Sequence, residues 1–176
     1  PFLNNGYMVK PSIIAKIENP DRKKEPVKMP IKIPVLSEYA ANEMKSMLVN
    51  VVEKGTGIAA QIPGFWIGGK TGTAQKARLG GGGYLPGQYV ISFIGFLPAS
   101  QPKVLILCIL DDPQMDKWGS SGTGPVFNDV AKACIKYMKL TPDRTEEPLL
   151  YTINQQRKEF PAGIKSTAGR ITDPAI

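Results

Sequence analysis

Lys70, Thr71, Gly72 and Thr73 place an amine, two hydroxyls and a glycine in consecutive positions, directly after Gly68 and Gly69. Two chemistries suit such a run. Together with Gly64-Phe65-Trp66-Ile67 it completes the pattern GxxxxGK[ST], in which backbone N–H groups of a loop cradle nucleotide phosphates. Read instead as a strand, it offers a lysine amine flanked by glycines, which leave room beside the backbone. The phosphate loop needs a buried strand before its first glycine and a helix starting at its lysine. Here Gln61-Ile62-Pro63 precedes, and Thr71-Gly72-Thr73 makes a poor first helical turn, so the strand is the better reading. The composition narrows the chemistry further, because the chain has His 0. Ser-His-Asp and Cys-His nucleophile systems are excluded, as is any histidine-ligated zinc or iron site. A proton acceptor in this chain must be a lysine or a carboxylate.

Several elements must position that run. Tyr7 to Ile17 reads as extended, with Pro11 marking an edge, and Asn19 to Pro34 as a proline-punctuated charged turn or loose hairpin. Ser37 is a plausible N-cap, followed by Glu38 in the first turn. Ala41, Met44, Leu48, Val51 and Val52 then recur at helical spacing until Gly55. Ile67 to Gln75, Tyr89 to Leu97 and Val104 to Leu110 are three β-prone segments separated by Gly80 to Gly83 and by Pro98 to Pro102. Linkers this short suit antiparallel neighbours. A second helix is predicted to begin near Pro125, with Val126 or Phe127, Val130, Cys134, Tyr137 and Met138 on its apolar face. The expected order is strand, helix, three antiparallel strands, helix and a polar, proline-containing tail over 141–176. With so few helices for a sheet that has two faces, one face is expected to lack its cover.

The chain of 176 residues is about one domain's worth, and its 42% hydrophobic content fits a globular protein. Its net charge of +7 lies wholly before Thr141, since five basic and five acidic residues follow from there. The densest basic stretch, Lys10 to Lys32, mixes signs as a solvated hairpin does, and no nucleic-acid-binding motif accompanies it. Nucleic acid is therefore not an expected partner. The longest apolar run, Val104 to Leu110, is far short of the ~20 residues that cross a bilayer. No transmembrane segment is expected in this chain.

Lys-Thr-Gly is one of three signatures of penicillin-binding proteins and β-lactamases, beside SxxK and a Ser-x-Asn type motif. The flanking residues extend the match. Glu53-Lys54-Gly55-Thr56-Gly57, Pro63-Gly64, Gly68 to Ala77, Phe93-Ile94-Gly95-Phe96-Leu97-Pro98-Ala99 and Gly124-Pro125-Val126-Phe127 stand in an order and spacing similar to the class B penicillin-binding proteins. From about Gly6 to Leu140 the chain resembles the C-terminal part of such a transpeptidase domain. The resemblance implies an α/β fold of the α+β type: an antiparallel sheet flanked by helices, β-lactamase-like, here as a partial domain over 1–140. It implies that Lys70 to Thr73 is an edge strand along which a D-Ala-D-Ala peptide lies extended. Thr71 and Thr73 would hold the terminal carboxylate, Gly72 would admit the peptide backbone, and Lys70 would supply charge and help move a proton. The backbone N–H of Thr73 would form half of an oxyanion hole. Lys70 and Thr73 are thus the catalytic candidates, Thr71 and Gly72 the substrate-binding ones, with no cofactor and no metal.

The family's nucleophile is the serine of SxxK at a helix start, where the lysine one turn on takes its proton. The one SxxK of this chain, Ser100 to Lys103, falls in a turn after the KTG run, and no Ser-x-Asn occurs. Both missing motifs would lie upstream of Pro1, so the 176 residues alone are not expected to be catalytically active. The expected function is the KTG-bearing portion of a peptidoglycan D,D-transpeptidase of the cell-division or elongation type. Its partners would be stem peptides, β-lactams and possible division or elongation proteins. The resemblance also implies a place in the cell envelope, outside the cytoplasmic membrane, anchored by a segment this chain lacks. Non-catalytic substrate binding on the same fold, and a nucleotide-binding P-loop, are the alternatives. Cys108 and Cys134 are expected as buried thiols. The family's packing of strand against helix leaves a disulfide between them open.

Overall fold

A computed structural model describes residues 1–11, 17–18, 24–25, 31–115 and 118–144. Its centre is a three-stranded antiparallel sheet in the order β5 (Gly68–Ala77), β6 (Tyr84–Leu97), β7 (Val104–Asp111), with β5 at one edge. The pairing sets Lys70 against Ile94, Gly72 against Ser92 and Thr73 against Ile91, and then Ile94 against Leu107. The three strands match the three expected segments, but β5 and β6 run further out. They continue past a register shift between Gln75 and Ala77 to a tip closed by Arg78 N–H donating to Gly83 O at 3.0 Å. Gly80 to Gly83 have φ of 90°, 89°, 86° and 103°, a left-handed run that side chains other than glycine resist. The glycines that read as a linker are the hairpin turn itself.

Before the sheet lies a two-step hairpin. β1 (Tyr7–Val9) pairs with β4 (Lys32–Pro34), and further out β2 (Ile17–Glu18) pairs with β3 (Lys24–Glu25). This agrees with the extended and hairpin segments read from the sequence, whose intervening residues lie outside the described set. Helix α1 (Glu38–Lys54) begins as expected: Ser37 Oγ accepts the N–H of Ala40 at 3.1 Å, and Gly55 ends the helix. Its buried face is broader than the apolar pattern indicated, since Lys45, Ser46 and Val49 are buried beside Ala41 and Val52. Ser46 is satisfied within the helix, donating to Asn42 O at 3.1 Å.

Helix α2 (Gly119–Met138) corrects the sequence reading twice. It starts six residues before Pro125, which stands inside the helix. Pro125 is the seventh residue of the helix, past the four N-terminal donors that lack intrahelical partners, so it leaves one carbonyl of the preceding turn without its helical donor. The helix is also rotated from its expected face. Phe127 and Ala131 are buried, whereas Val126, Val130, Tyr137 and Met138 are 40%, 42%, 89% and 47% exposed. Phe127 meets Phe93 of β6 edge to face, ring centres 4.9 Å apart, in a core shared with Val52, Ile62, Phe65, Ile67, Leu97 and Ile106.

Among the described residues the opposite sheet face is covered only at one end, where Phe96 packs with Val49, Trp66 and Ala99. Ile94, Leu105, Leu107 and Ile109 are 41% to 57% exposed, which is the uncovered face anticipated from the shortage of helices. Cys108 is buried and Cys134 half-buried, and both are free thiols. The segment expected as a loose tail is docked at its start. Asp143 accepts the backbone N–H groups of Trp66 (2.8 Å) and Ser100 (3.0 Å). Arg144 lies 4.4 Å over the Trp66 ring and grips Glu53 with two bonds of 3.1 and 2.8 Å. Asp143 and Arg144 are thus packed onto the domain, and 145–176 lie outside the described residues. No helix among the described residues is long and apolar enough to cross a membrane.

Candidate functional site

The run Lys70 to Thr73 lies inside β5, on the sheet's edge strand. That placement removes the phosphate-loop reading, because no helix follows Lys70 and no loop surrounds it. The same location leaves one side of the strand without a neighbouring strand among the described residues, which is where an extended peptide can add. Thr71 and Gly72 are half-buried, while Lys70 and Thr73 are exposed. Successive strand residues point to opposite faces, so Lys70 and Gly72 share one and Thr71 and Thr73 the other.

Lys70 curls along its own strand, Nζ donating to Thr71 O at 3.0 Å and lying 3.5 Å from Thr71 Oγ1. It is in no ion pair among the described residues, so its positive charge remains available to an anion at the edge. Lys76, further along the strand, differs: its ammonium is 2.9 Å from Asp111 Oδ1, and that hydrogen bond raises its pKa. The beginning of α2 adds to the positive potential near Thr71, since the first N–H groups of a helix are unpaired and its dipole is positive there. Its first residue, Gly119, stands so close that an added Cβ would lie 3.0 Å from Gly72 O and 3.2 Å from Thr71 Cβ.

All four residues singled out from the sequence are therefore together on one edge. Three others at the site were not singled out. Thr56 Oγ1 lies 2.9 Å from Thr71 Oγ1. Ser92, opposite Gly72, puts its Oγ where a Cβ on Gly72 would be 2.5 Å away. Gly119 was obscured because Pro125 drew the helix start six residues too late. For Thr56 the sequence did hold a signal, a hydroxyl between two glycines at the end of an amphipathic helix, although nothing local shows that it reaches β5. Ser100 to Lys103, the one SxxK, lies between β6 and β7, with Ser100 N–H bound to Asp143, as its position in a turn led us to expect. Among the described residues no cluster of His, Cys, Asp and Glu could hold a metal ion.

Comparison with known proteins gives consistent relatives. The family profile described as "Penicillin binding protein transpeptidase domain" matches residues 1–132. Stage V sporulation protein D of Bacillus subtilis is 31% identical over 158 residues, covering 88% of this chain and 24% of that protein. The probable peptidoglycan D,D-transpeptidase PenA of Neisseria flavescens is 36% identical over 112 residues, covering 62% of this chain and 28% of its own length. Among solved structures, penicillin-binding protein 3 of Mycobacterium tuberculosis complexed with ampicillin superposes with a TM-score of 0.74 at 32% identity, over 84% of this chain and 35% of that one. The chain thus spans about a quarter of these curated relatives and about a third of the solved chain. With a profile match over most of its length and a shared antiparallel-sheet fold, this chain belongs to the penicillin-binding protein transpeptidase domain family.

Proposed function

We propose that these residues supply the substrate-holding edge of a peptidoglycan D,D-transpeptidase, acting on stem peptides that end in D-Ala-D-Ala. The observation that carries the reading is the KTG run on an edge strand, with an ammonium in no ion pair among the described residues and two hydroxyls beside a glycine. An extended peptide adding to β5 would gain main-chain hydrogen bonds. Gly72 would leave room for its backbone, and Lys70, Thr71 and Thr73 would meet its terminal carboxylate. In the acylation step a serine hydroxyl attacks the carbonyl of the D-Ala–D-Ala bond, forming an ester and releasing the terminal D-alanine. The amine of a second stem peptide then displaces the serine, forming the cross-link. Lys70 would help pass the proton of the serine toward the leaving amine, and the N–H of Thr73 would stabilise the developing oxyanion.

The nucleophile itself would come from a part of the protein outside these 176 residues, and the mature enzyme would work in the cell envelope, on the outer side of the cytoplasmic membrane. β-Lactams would occupy the same edge, in keeping with the ampicillin and aztreonam complexes of the mycobacterial relative. Titration of the 15N-labelled chain with diacetyl-Lys-D-Ala-D-Ala tests the reading. Amide shifts should concentrate at 70–73, weaken by about tenfold in Lys70→Ala and be absent with the L-Ala-L-Ala isomer. Shifts elsewhere, or equal shifts with both isomers, would overturn it. Covalent labelling of the full-length protein by a fluorescent penicillin then separates a working transpeptidase from a non-catalytic module, since only the former has a reactive serine.

A further inference from the structure

Thr56 sits in the middle of the turn Gly55-Thr56-Gly57 that closes α1. The N–H groups of both glycines donate to Val51 O, at 3.1 and 2.9 Å, and a Cβ on either would press against that oxygen at 2.9 and 3.2 Å. The turn is therefore tight for reasons of its own, and it delivers Thr56 Oγ1 to within 2.9 Å of Thr71 Oγ1. Thr56 is exposed and Thr71 half-buried, so the bond lies at the accessible edge and not in the core. Thr71 is confined on another side by Gly119.

Either hydroxyl could donate in this contact, and which one does decides what Thr71 can offer a ligand. A hydroxyl has one proton and two acceptor sites, and an ammonium only donates. Lys70 Nζ approaches Thr71 Oγ1 at 3.5 Å and so takes one acceptor site. When Thr56 donates to the second, both are filled, and the Thr71 proton is left for a group in front of the strand. Donation into Thr71 Oγ1 also polarises its O–H bond, strengthening it toward an anion. We propose that Thr56 is a positioning residue: it makes Thr71 a dedicated donor to the terminal carboxylate of the stem peptide and so helps set the preference for a free C-terminus. The inference rests on the substrate reading given above.

The test compares diacetyl-Lys-D-Ala-D-Ala with its C-terminal amide on the 15N-labelled chain and reads the ratio of the two Kd values. Thr56→Val, nearly isosteric, should weaken binding of the acid by about 3- to 10-fold, the size of one hydrogen bond, and leave the amide unchanged. Thr56→Ser should stay within about twofold of wild type, and in a Thr71→Val background the valine at 56 should have no further effect. A folded Thr56→Val protein with the wild-type ratio overturns the inference, and so does an equal loss for acid and amide, which marks a purely structural bond. If Thr56→Val melts early, Thr56→Cys, similar in size but a weak donor, is read against Thr56→Ser by the same criterion. Wild-type protein that binds neither peptide, or both equally, overturns the substrate reading and with it the role of Thr56.

Discussion

Removing the Asp143 carboxylate should loosen the segment that leads into the site strand. Asp143 accepts the N–H of Trp66 at 2.8 Å and that of Ser100 at 3.0 Å, two charge-assisted bonds from one side chain. Trp66 is 9% exposed and stands two residues before β5, so without the carboxylate its N–H is left poorly paired. Hydrogen bonds to charged groups contribute ~1.5–3 kcal/mol each, and partial exposure puts these at the low end, so Asp143→Ala should cost about 2–3 kcal/mol. For a domain of this size that is a fall in Tm of about 5–10 °C, measured by circular dichroism at neutral pH. Asp143→Asn keeps one acceptor but turns an NH2 group toward the other donor, and should fall between wild type and alanine. Arg144→Ala removes a half-exposed ion pair with Glu53 and the stacking over Trp66, and should cost only about 1 kcal/mol. If Asp143→Ala melts within about 2 °C of wild type, the two bonds do not hold the segment and the reasoning fails.

Three further outcomes follow from the geometry. Gly72→Ala should leave Tm within about 2 °C, because the added Cβ meets only Ser92 Oγ, which can rotate away, while stem-peptide binding falls. Gly69→Ala, whose Cβ would overlap the Phe93 ring and lie 2.8 Å from Ile94 O, should instead lose about 1–3 kcal/mol of stability; equal behaviour of the two variants would contradict this. Burial pushes the pKa of Lys45 down, only partly offset by the charge of Glu38 two turns earlier. The unfolded chain then holds more protons than the folded one as pH approaches 10.5, so this lysine's contribution to stability rises with pH, and Lys45→Met should be neutral or stabilising at pH 7 and flatten that trend in urea melts. Cys108, whose thiol burial pushes up in pKa, should alkylate more slowly with iodoacetamide at pH 8 than half-buried Cys134, as read by peptide mass spectrometry.

Local signals account for what was legible in advance. Ser37 and Gly55 bracket α1 because a cap and a stop act within one turn of where they stand. The strands were recognisable from β-branched and aromatic runs with short turns between, and the edge position of Lys70 to Thr73 was implied by the family resemblance of the Lys-Thr-Gly run and its flanks. The face of α2 was not legible. Val126, Val130 and Phe127 are all apolar, and only the position of Phe93 across the sheet decides that Phe127 and Ala131 turn inward. Nor was Lys45 readable as buried, since its aliphatic stem can line a helix face that the charge alone would assign to solvent.

The sequence by itself determined the element types and the absence of histidine chemistry, because these depend on residue type and neighbours a few positions apart, while the four residues of the site strand were picked out by family resemblance. Only the tertiary structure decided that Thr56 meets Thr71 across fifteen positions, that Gly119 closes on both Thr71 and Gly72, and that Asp143 and Arg144 belong to the fold. Each of these is a contact between elements remote in the chain, made by directional hydrogen bonds or steric closeness. Such contacts depend on how helices and sheet are placed in space, and no periodicity or motif along the chain carries that placement.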